Sequence, residues 1–317
     1  MNPPLHTQHL SVGYSTEKNS NQLFTHLNLN LNSGELVCFM GPNGIGKSTL
    51  LRTLAGLQKP LSGEIKGIDS KSIGLVLTDR ITTTNMTVNE LVTYGRYPYL
   101  DWSISLSDSD KKIIEDSIDQ VRIQHLREKK LYELSDGQMQ MAMIARALAQ
   151  QTPVLLLDEP TAHLDLNNRV EIMNLLRSLS RNEGKAILVA THELDLALQT
   201  ADLIWLATND KKIKIGMPED LVLDGSFDEV FQFKGFDLKT GKVQHEAHRG
   251  VTVQLMGEGH ELLWTKNAFE RCGYDVIEKS DRVIYIHRGE KTTWQLGGNS
   301  FESLSMLLSF LALRHLG

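Results

Sequence analysis

The chain has 317 residues, 41% hydrophobic and 23% charged, with a formal net charge of −6. That composition belongs to a globular protein and excludes a disordered one, and the acidic balance gives no nucleic-acid footprint, which would need a basic stripe. At roughly 150 residues per domain the length suggests about two domains, and the two cysteines, Cys38 and Cys272, form no C-x-x-C pair and suit a reducing cytosol.

Met1 to Leu10 has no apolar core, so neither a signal peptide nor an anchor is expected there. Leu27 to Leu31 alternates apolar residues with Asn28 and Asn30, the period of a half-buried antiparallel strand. Glu35 to Met40 is instead a nearly continuous apolar run, as in a strand buried on both faces of a parallel sheet. It feeds into Gly41-Pro42-Asn43-Gly44-Ile45-Gly46-Lys47-Ser48, which fits the phosphate-loop pattern G-x-x-x-x-G-K-S/T. Glycines allow backbone N–H groups to surround a polyphosphate, and the helix that begins here adds its positive dipole end. Leu50, Leu51, Leu54 and Leu57 continue at helical spacing, and Pro60 closes the segment.

Residues 85–150 read as a helical insert. Thr87-x-x-Glu90 and Ser107-x-x-Asp110 are helix starts, the second followed by Ile113, Ile114, Ile118 and Val121 on one face. Leu134-Ser135-Asp136-Gly137-Gln138 opens another helix. On its own this is an ordinary Ser N-cap, but a helix start also presents Ser135 and the Gly137 N–H to an anion.

Two further apolar runs end in chemically capable residues. Val154 to Leu157 ends at Asp158-Glu159, and Ala186 to Ala190 ends at Thr191-His192. Three strands thus deliver chemistry at their C-terminal ends, where open α/β sheets bind ligands. Lys47 can reach the outer phosphates, Ser48 and Asp158 can hold Mg²⁺, and Thr49 can assist at the α-phosphate. Glu159 is placed to orient or deprotonate an attacking water, and His192 to hydrogen-bond the γ-phosphate. Asp165 can cap the next helix or link two sites across an interface.

Beyond about residue 225 the pattern changes to a small α+β appendage. Strands are expected at Arg282–Ile286 and Thr293–Leu296, between two helices, the last starting at Asn299 with Glu302 completing a capping box. Gly241 to Gly250 reads as the linker, giving domains at 1–240 and 250–317. His245, His248 and His260 match no zinc spacing and read as solvated.

Taken in chain order, these elements resemble the ATP-binding cassette ATPases over residues 5–225. Gly41 to Ser48 corresponds to the family's Walker A loop, Leu134 to Gln138 to its signature motif and Val154 to Asp158 to Walker B. Ala162 to Asp165 corresponds to the D-loop, and His192 to the switch histidine. The resemblance implies an α/β phosphate-loop core with an antiparallel β-subdomain and a helical signature-motif subdomain, followed here by the α+β extension. It also implies ATP and Mg²⁺ as ligands, and Tyr14 as the adenine-stacking aromatic. The nucleotide-contacting set is then Tyr14, Gly41, Pro42, Asn43, Gly44, Ile45, Gly46, Lys47, Ser48 and Thr49, with Ser135, Gly137 and Gln138 supplied to a second copy that shares the ATP.

Within the family, Gly95-Arg96-Tyr97-Pro98-Tyr99 and the run Ala190 to Ala197 look like the ATPases of siderophore, haem and cobalamin importers. That likeness implies a peripheral protein on the cytoplasmic face of the membrane, a separate permease contacted near Tyr97, Pro98 and Tyr99, and a capture protein outside. A soluble cassette in nucleic-acid repair or translation, or an exporter ATPase, is the alternative. Two residues depart from the family pattern: Thr78 stands where the Q-loop Gln is expected, and Asp136 where the signature has Gly.

Overall fold

The apolar runs before the glycine loop, Asp158 and Thr191 become neighbouring parallel strands of one sheet. The computed structural model describes residues 4–15, 20–77, 85–100, 105–243, 245, 247–289 and 291–313. Two compact units divide the chain, 1–232 and 233–317.

In the first unit, β1 (Leu5–Ser15), β2 (Ser20–Leu27) and β3 (Asn30–Leu31) lead into β4 (Leu36–Met40), the glycine loop and α1 (Lys47–Leu54). β5 (Ser62–Lys66) and β6 (Ile73–Val76) follow. The first, second, third and fifth strands form an antiparallel sheet in which β1 pairs with the other three. The expected strand over Leu27–Leu31 is therefore two strand ends, joined at residues 28 and 29. The break has a visible cause: the Leu29 N–H donates to the buried Thr7 hydroxyl, and the Asn28 side chain accepts from the His9 N–H.

The helical insert holds α2 (Val88–Thr93), α3 (Asp108–Gln120) and α4 (Asp136–Leu148), each opened by a two-way cap. These are Thr87 with Glu90, Ser107 with Asp110 and Ser135 with Gln138. A 3₁₀ helix over Tyr94–Tyr99 carries the Gly-Arg-Tyr-Pro-Tyr segment. The main sheet resumes with β7 (Val154–Asp158), α5 (Leu166–Glu183), β8 (Ala186–Ala190), α6 (Leu194–Thr200), β9 (Leu203–Ala207) and β10 (Ile213–Gly216). Its order is β10-β9-β4-β8-β7-β6, parallel except for β10. Every residue of β4, β7 and β8 is buried, as strands covered on both faces require. Phe24 and Trp205 flank Phe39 at ring-centroid distances of 6.0 and 6.5 Å, at the centre of a core that also takes in Leu50, Leu54 and Leu156. Helices α7 (Pro218–Leu223) and α8 (Ser226–Phe231) complete the unit.

The second unit opens with a short hairpin of β11 (Phe236–Asp237) and β12 (Lys242–Val243), whose second strand falls inside the stretch read as a linker. It continues through β13 (Thr252–Met256), α9 (Gly259–Arg271), β14 (Asp275–Val276), β15 (Val283–His287), β16 (Thr293–Leu296), β17 (Asn299–Phe301) and α10 (Leu304–Leu313). These strands form a mixed sheet in the order β14-β13-β15-β16-β17. One expectation is corrected: Asn299 begins a strand and not the last helix. Gly297 and Gly298, both at positive φ, turn β16 back onto β17 with Leu296 opposite Asn299. The helix begins at Leu304 after Ser303, whose hydroxyl accepts from the Met306 N–H. Among the described residues, no helix is long and apolar enough to cross a membrane.

Candidate active site at the strand ends

The glycine loop leaves β4 and turns sharply into α1. Gly46 sits at φ +112, and a Cβ there would come within 2.8 Å of Leu23, so the turn admits only glycine. Gly44, at φ +76, has nothing within 4 Å of a Cβ position, so its positive φ and not crowding is what favours glycine there. Ile45 packs on the core below, and Asn43 is exposed. The buried Lys47 ammonium donates to the carbonyls of Gly41 (2.8 Å) and Pro42 (3.3 Å), which holds its charge at the loop. Burial lowers its pKa, and the nearby Glu159 and Asp158 carboxylates oppose that shift.

Asp158 is buried at the end of β7, and the Ser48 hydroxyl hydrogen-bonds its carboxylate. Burial, above all, pushes the Asp158 carboxyl up from its ordinary value; the Ser48 bond opposes this, while the Glu159 charge adds to it. Two hard oxygen donors in contact, one of them a carboxylate whose charged form is disfavoured by burial, fit a small divalent cation.

Glu159 adopts φ +48, an uncommon conformation for a non-glycine residue, fixed by its N–H bond to the Ala190 carbonyl (2.8 Å). Its Oε1 lies 3.4 Å from Nδ1 of His192, the residue that β8 delivers two places beyond its end. On its other side the imidazole has the Glu193 carboxylate, with Nε2 3.8 Å from Oε1. Thr191, between β8 and the imidazole, is tied to β4 by its N–H bond to the Phe39 carbonyl (3.1 Å).

Tyr14 is tied to the first turn of α1, with its hydroxyl 2.7 Å from the Thr49 hydroxyl and half its surface open. Lys47, Ser48, Thr49, Asp158, Glu159, His192 and Tyr14 are thus brought together around the ends of β4, β7 and β8. The signature residues stand at the start of another helix. Ser135 caps α4 through the Gln138 N–H (3.3 Å), and Gln138 returns a bond to the Ser135 N–H (3.2 Å). The cap reading of this stretch therefore holds. Asp136 is exposed in the first helical turn, where the helix dipole favours a carboxylate. Gly137 is buried against Asn168 in the first turn of α5: a Cβ would lie 2.8 Å from the Asn168 Cγ. Asp165 caps α5, accepting from the Asn168 backbone N–H (2.9 Å) and side-chain amide (3.0 Å). Thr78 lies outside the described residues.

On the helical insert, Tyr97, Pro98 and Tyr99 are exposed, while Arg96 beneath them is buried. Arg96 bonds Asp110 (2.9 Å) and the Ala149 carbonyl (2.9 Å), and its guanidinium lies 4.2 Å from the Tyr99 ring centre. Arg169 and Glu193 also stand beside His192, and the sequence marks them only as an arginine one helical turn after the Asp165 cap and as a member of the run Ala190 to Ala197.

Residues 24–162 match the family model described as "ABC transporter", and residues 250–312 match one described as "Iron ABC transporter C-terminal domain". An uncharacterized ABC transporter ATP-binding protein of Methanocaldococcus jannaschii is 39% identical, covering 76% of this chain and 89% of its own. A petrobactin import ATP-binding protein of Bacillus anthracis is 36% identical over 74% of this chain and 88% of its own. A dimeric ATP-binding cassette solved in a post-hydrolysis state with ADP and Pi superimposes with a TM-score of 0.59 at 27% identity, covering 68% of this chain and 98% of its own. With the phosphate loop, the strand-end carboxylates and the signature helix arranged as above, the chain belongs to the ABC transporter family as an ATP-binding, ATP-hydrolysing cassette.

Proposed function

We propose that this chain powers the import of an iron chelate, haem or cobalamin through a separate membrane permease. It would work as a head-to-tail homodimer on the cytoplasmic face of the cell membrane. The observation that carries the reading is the convergence of Lys47, Ser48, Asp158, Glu159 and His192 at the ends of three adjacent parallel strands. The petrobactin relative and the iron-transporter model over residues 250–312 support the substrate class.

In this reading the glycine loop and Lys47 bind the β- and γ-phosphates of ATP, and Tyr14 stacks on the adenine. Ser48 and Asp158 hold Mg²⁺, which when bound neutralises charge on the phosphates. Glu159 orients the attacking water and takes its proton as the bond between the γ-phosphorus and its bridging oxygen breaks, leaving ADP and phosphate. His192 hydrogen-bonds the γ-phosphate. Ser135, Gly137 and Gln138 address the γ-phosphate held by the second copy. Tyr97, Pro98 and Tyr99 dock the permease, as exposed aromatics over a fixed arginine suit. A binding protein outside the membrane hands over the ligand.

The test is Glu159→Gln in the purified chain. ATP binding should persist and a nucleotide-bound dimer accumulate, while turnover falls by about a hundredfold to ten-thousandfold, the usual worth of a general base. Turnover at the wild-type rate would remove Glu159 from the mechanism.

A further inference from the structure

His192 is held by more than its strand. Arg169, in the first turn of α5, donates through Nε to the carbonyl of Leu164 (2.6 Å) and through Nη1 to Oε2 of Glu193 (2.8 Å). The other Glu193 oxygen faces His192 Nε2 at 3.8 Å, and His192 Nδ1 faces Glu159 at 3.4 Å. One guanidinium thus joins the turn before Asp165 to the carboxylate that flanks the imidazole. Both partners are mostly shielded, with side chains 32% and 18% exposed, so the pair is less screened than a surface ion pair. The Glu193 backbone is fixed as well, its N–H bonding the Thr191 hydroxyl (3.0 Å). The same helix turn carries Asn168, which bonds Asp165 and packs against Gly137. Consecutive residues of α5 therefore touch the signature turn on one side and the histidine's neighbour on the other.

We propose that the Arg169–Glu193 pair is a positioning device for hydrolysis, which sets the His192 imidazole according to the placement of the Leu164–Asp165 turn. The inference rests on the hydrolytic reading of the site given above. Neither residue belongs to the phosphate-binding loop, so the pair acts on the reacting geometry and not on nucleotide capture. The Arg169 fork matters more than its charge, because two acceptors in different directions must be held at once; a lysine, with a single ammonium, cannot match that geometry.

The test is a cycle of Arg169→Ala, Glu193→Gln and the double variant in the full-length chain, with Arg169→Lys beside it. Steady-state ATPase rates, KM for ATP and melting temperatures are measured. The expected result is kcat lower by about tenfold to a hundredfold, in line with a small misplacement of a reacting group, with KM for ATP and the melting temperature unchanged. The double variant should lose no more than Arg169→Ala alone, since the two residues act as one unit. Arg169→Lys should recover only part of the rate. Wild-type kcat in Arg169→Ala, additive losses across the cycle, or a rate loss matched by a fall in melting temperature would overturn the inference. A wild-type chain that binds ATP without hydrolysing it would instead remove the reading on which the inference rests.

Discussion

Gly137 shows how a single residue can serve two demands. In a helix, replacing glycine by alanine ordinarily gains about 1 kcal/mol from backbone entropy. Here the added methyl would meet the Asn168 side chain at 2.8 Å, and Asn168 cannot swing away without breaking its bond to Asp165. Losing that bond costs about 0.5–1.5 kcal/mol, and in the first helical turn the propensity gain is smaller than in a helix interior, so crowding should outweigh propensity. Gly137→Ala is therefore expected to lower the melting temperature of the nucleotide-free chain. Adding Asn168→Ala should restore it by making room; a Gly137→Ala chain more stable than wild type would show that the contact yields. The motif made Gly137 legible in the sequence as a backbone N–H donor, but its packing partner lies 31 residues away on another helix and left no local trace. A separation of 24 residues likewise hid the Arg169–Glu193 pair. Lys47, Ser48, Asp158 and His192 were readable because each sits at a fixed offset from a strand whose apolar run announces it.

Among the elements, caps were legible wherever a polar pair faced a helical apolar pattern. Thr87 with Glu90 and Ser107 with Asp110 open helices where the sequence placed them. Asn299 with Glu302 is the exception, because a Gly-Gly pair between short alternating segments is a hairpin signal that outweighs a possible cap there. The cap of α3 does more than close a helix. The Asp110 carboxylate bonds both the Ser107 N–H (3.0 Å) and Arg96 (2.9 Å), which anchors the exposed tyrosine segment to the insert. Bonds from Ser107 first, then from Arg96, hold its carboxyl below the ordinary value of 3.8. A depressed folded-state pKa gives stability that is present above the unfolded value and lost as pH falls through the folded one. Asp110→Asn should accordingly melt lower than wild type at neutral pH, and the gap should close as pH drops below about 3.8. A gap independent of pH down to 2 would assign the loss to packing instead of charge.

At the scale of the whole molecule, the chain divides into two units whose buried clusters do not share residues. The larger cluster runs from Leu5 to Ala207, and the smaller from Val251 to Leu311 around Phe269, Tyr274 and Phe301. The sequence signalled the second unit by its change of pattern, but the hairpin at its start has strands of only two residues each, too short to carry a period. Burial efficiency rises with size, so a unit of 85 residues (317 − 232) retains less net stability than one of 232. The full-length chain should therefore unfold in two calorimetric steps, the smaller unit first. ATP with Mg²⁺ should raise only the second step, because a ligand stabilises the unit that binds it in its folded form. A chain ending at Gln232 should lose the first step, keep the second and continue to hydrolyse ATP, since every residue assigned to the reaction lies between Tyr14 and Glu193. A single transition in the full chain, raised as a whole by ATP, would instead show that the units unfold as one cooperative body and that the C-terminal unit shares the energetics of the ATPase.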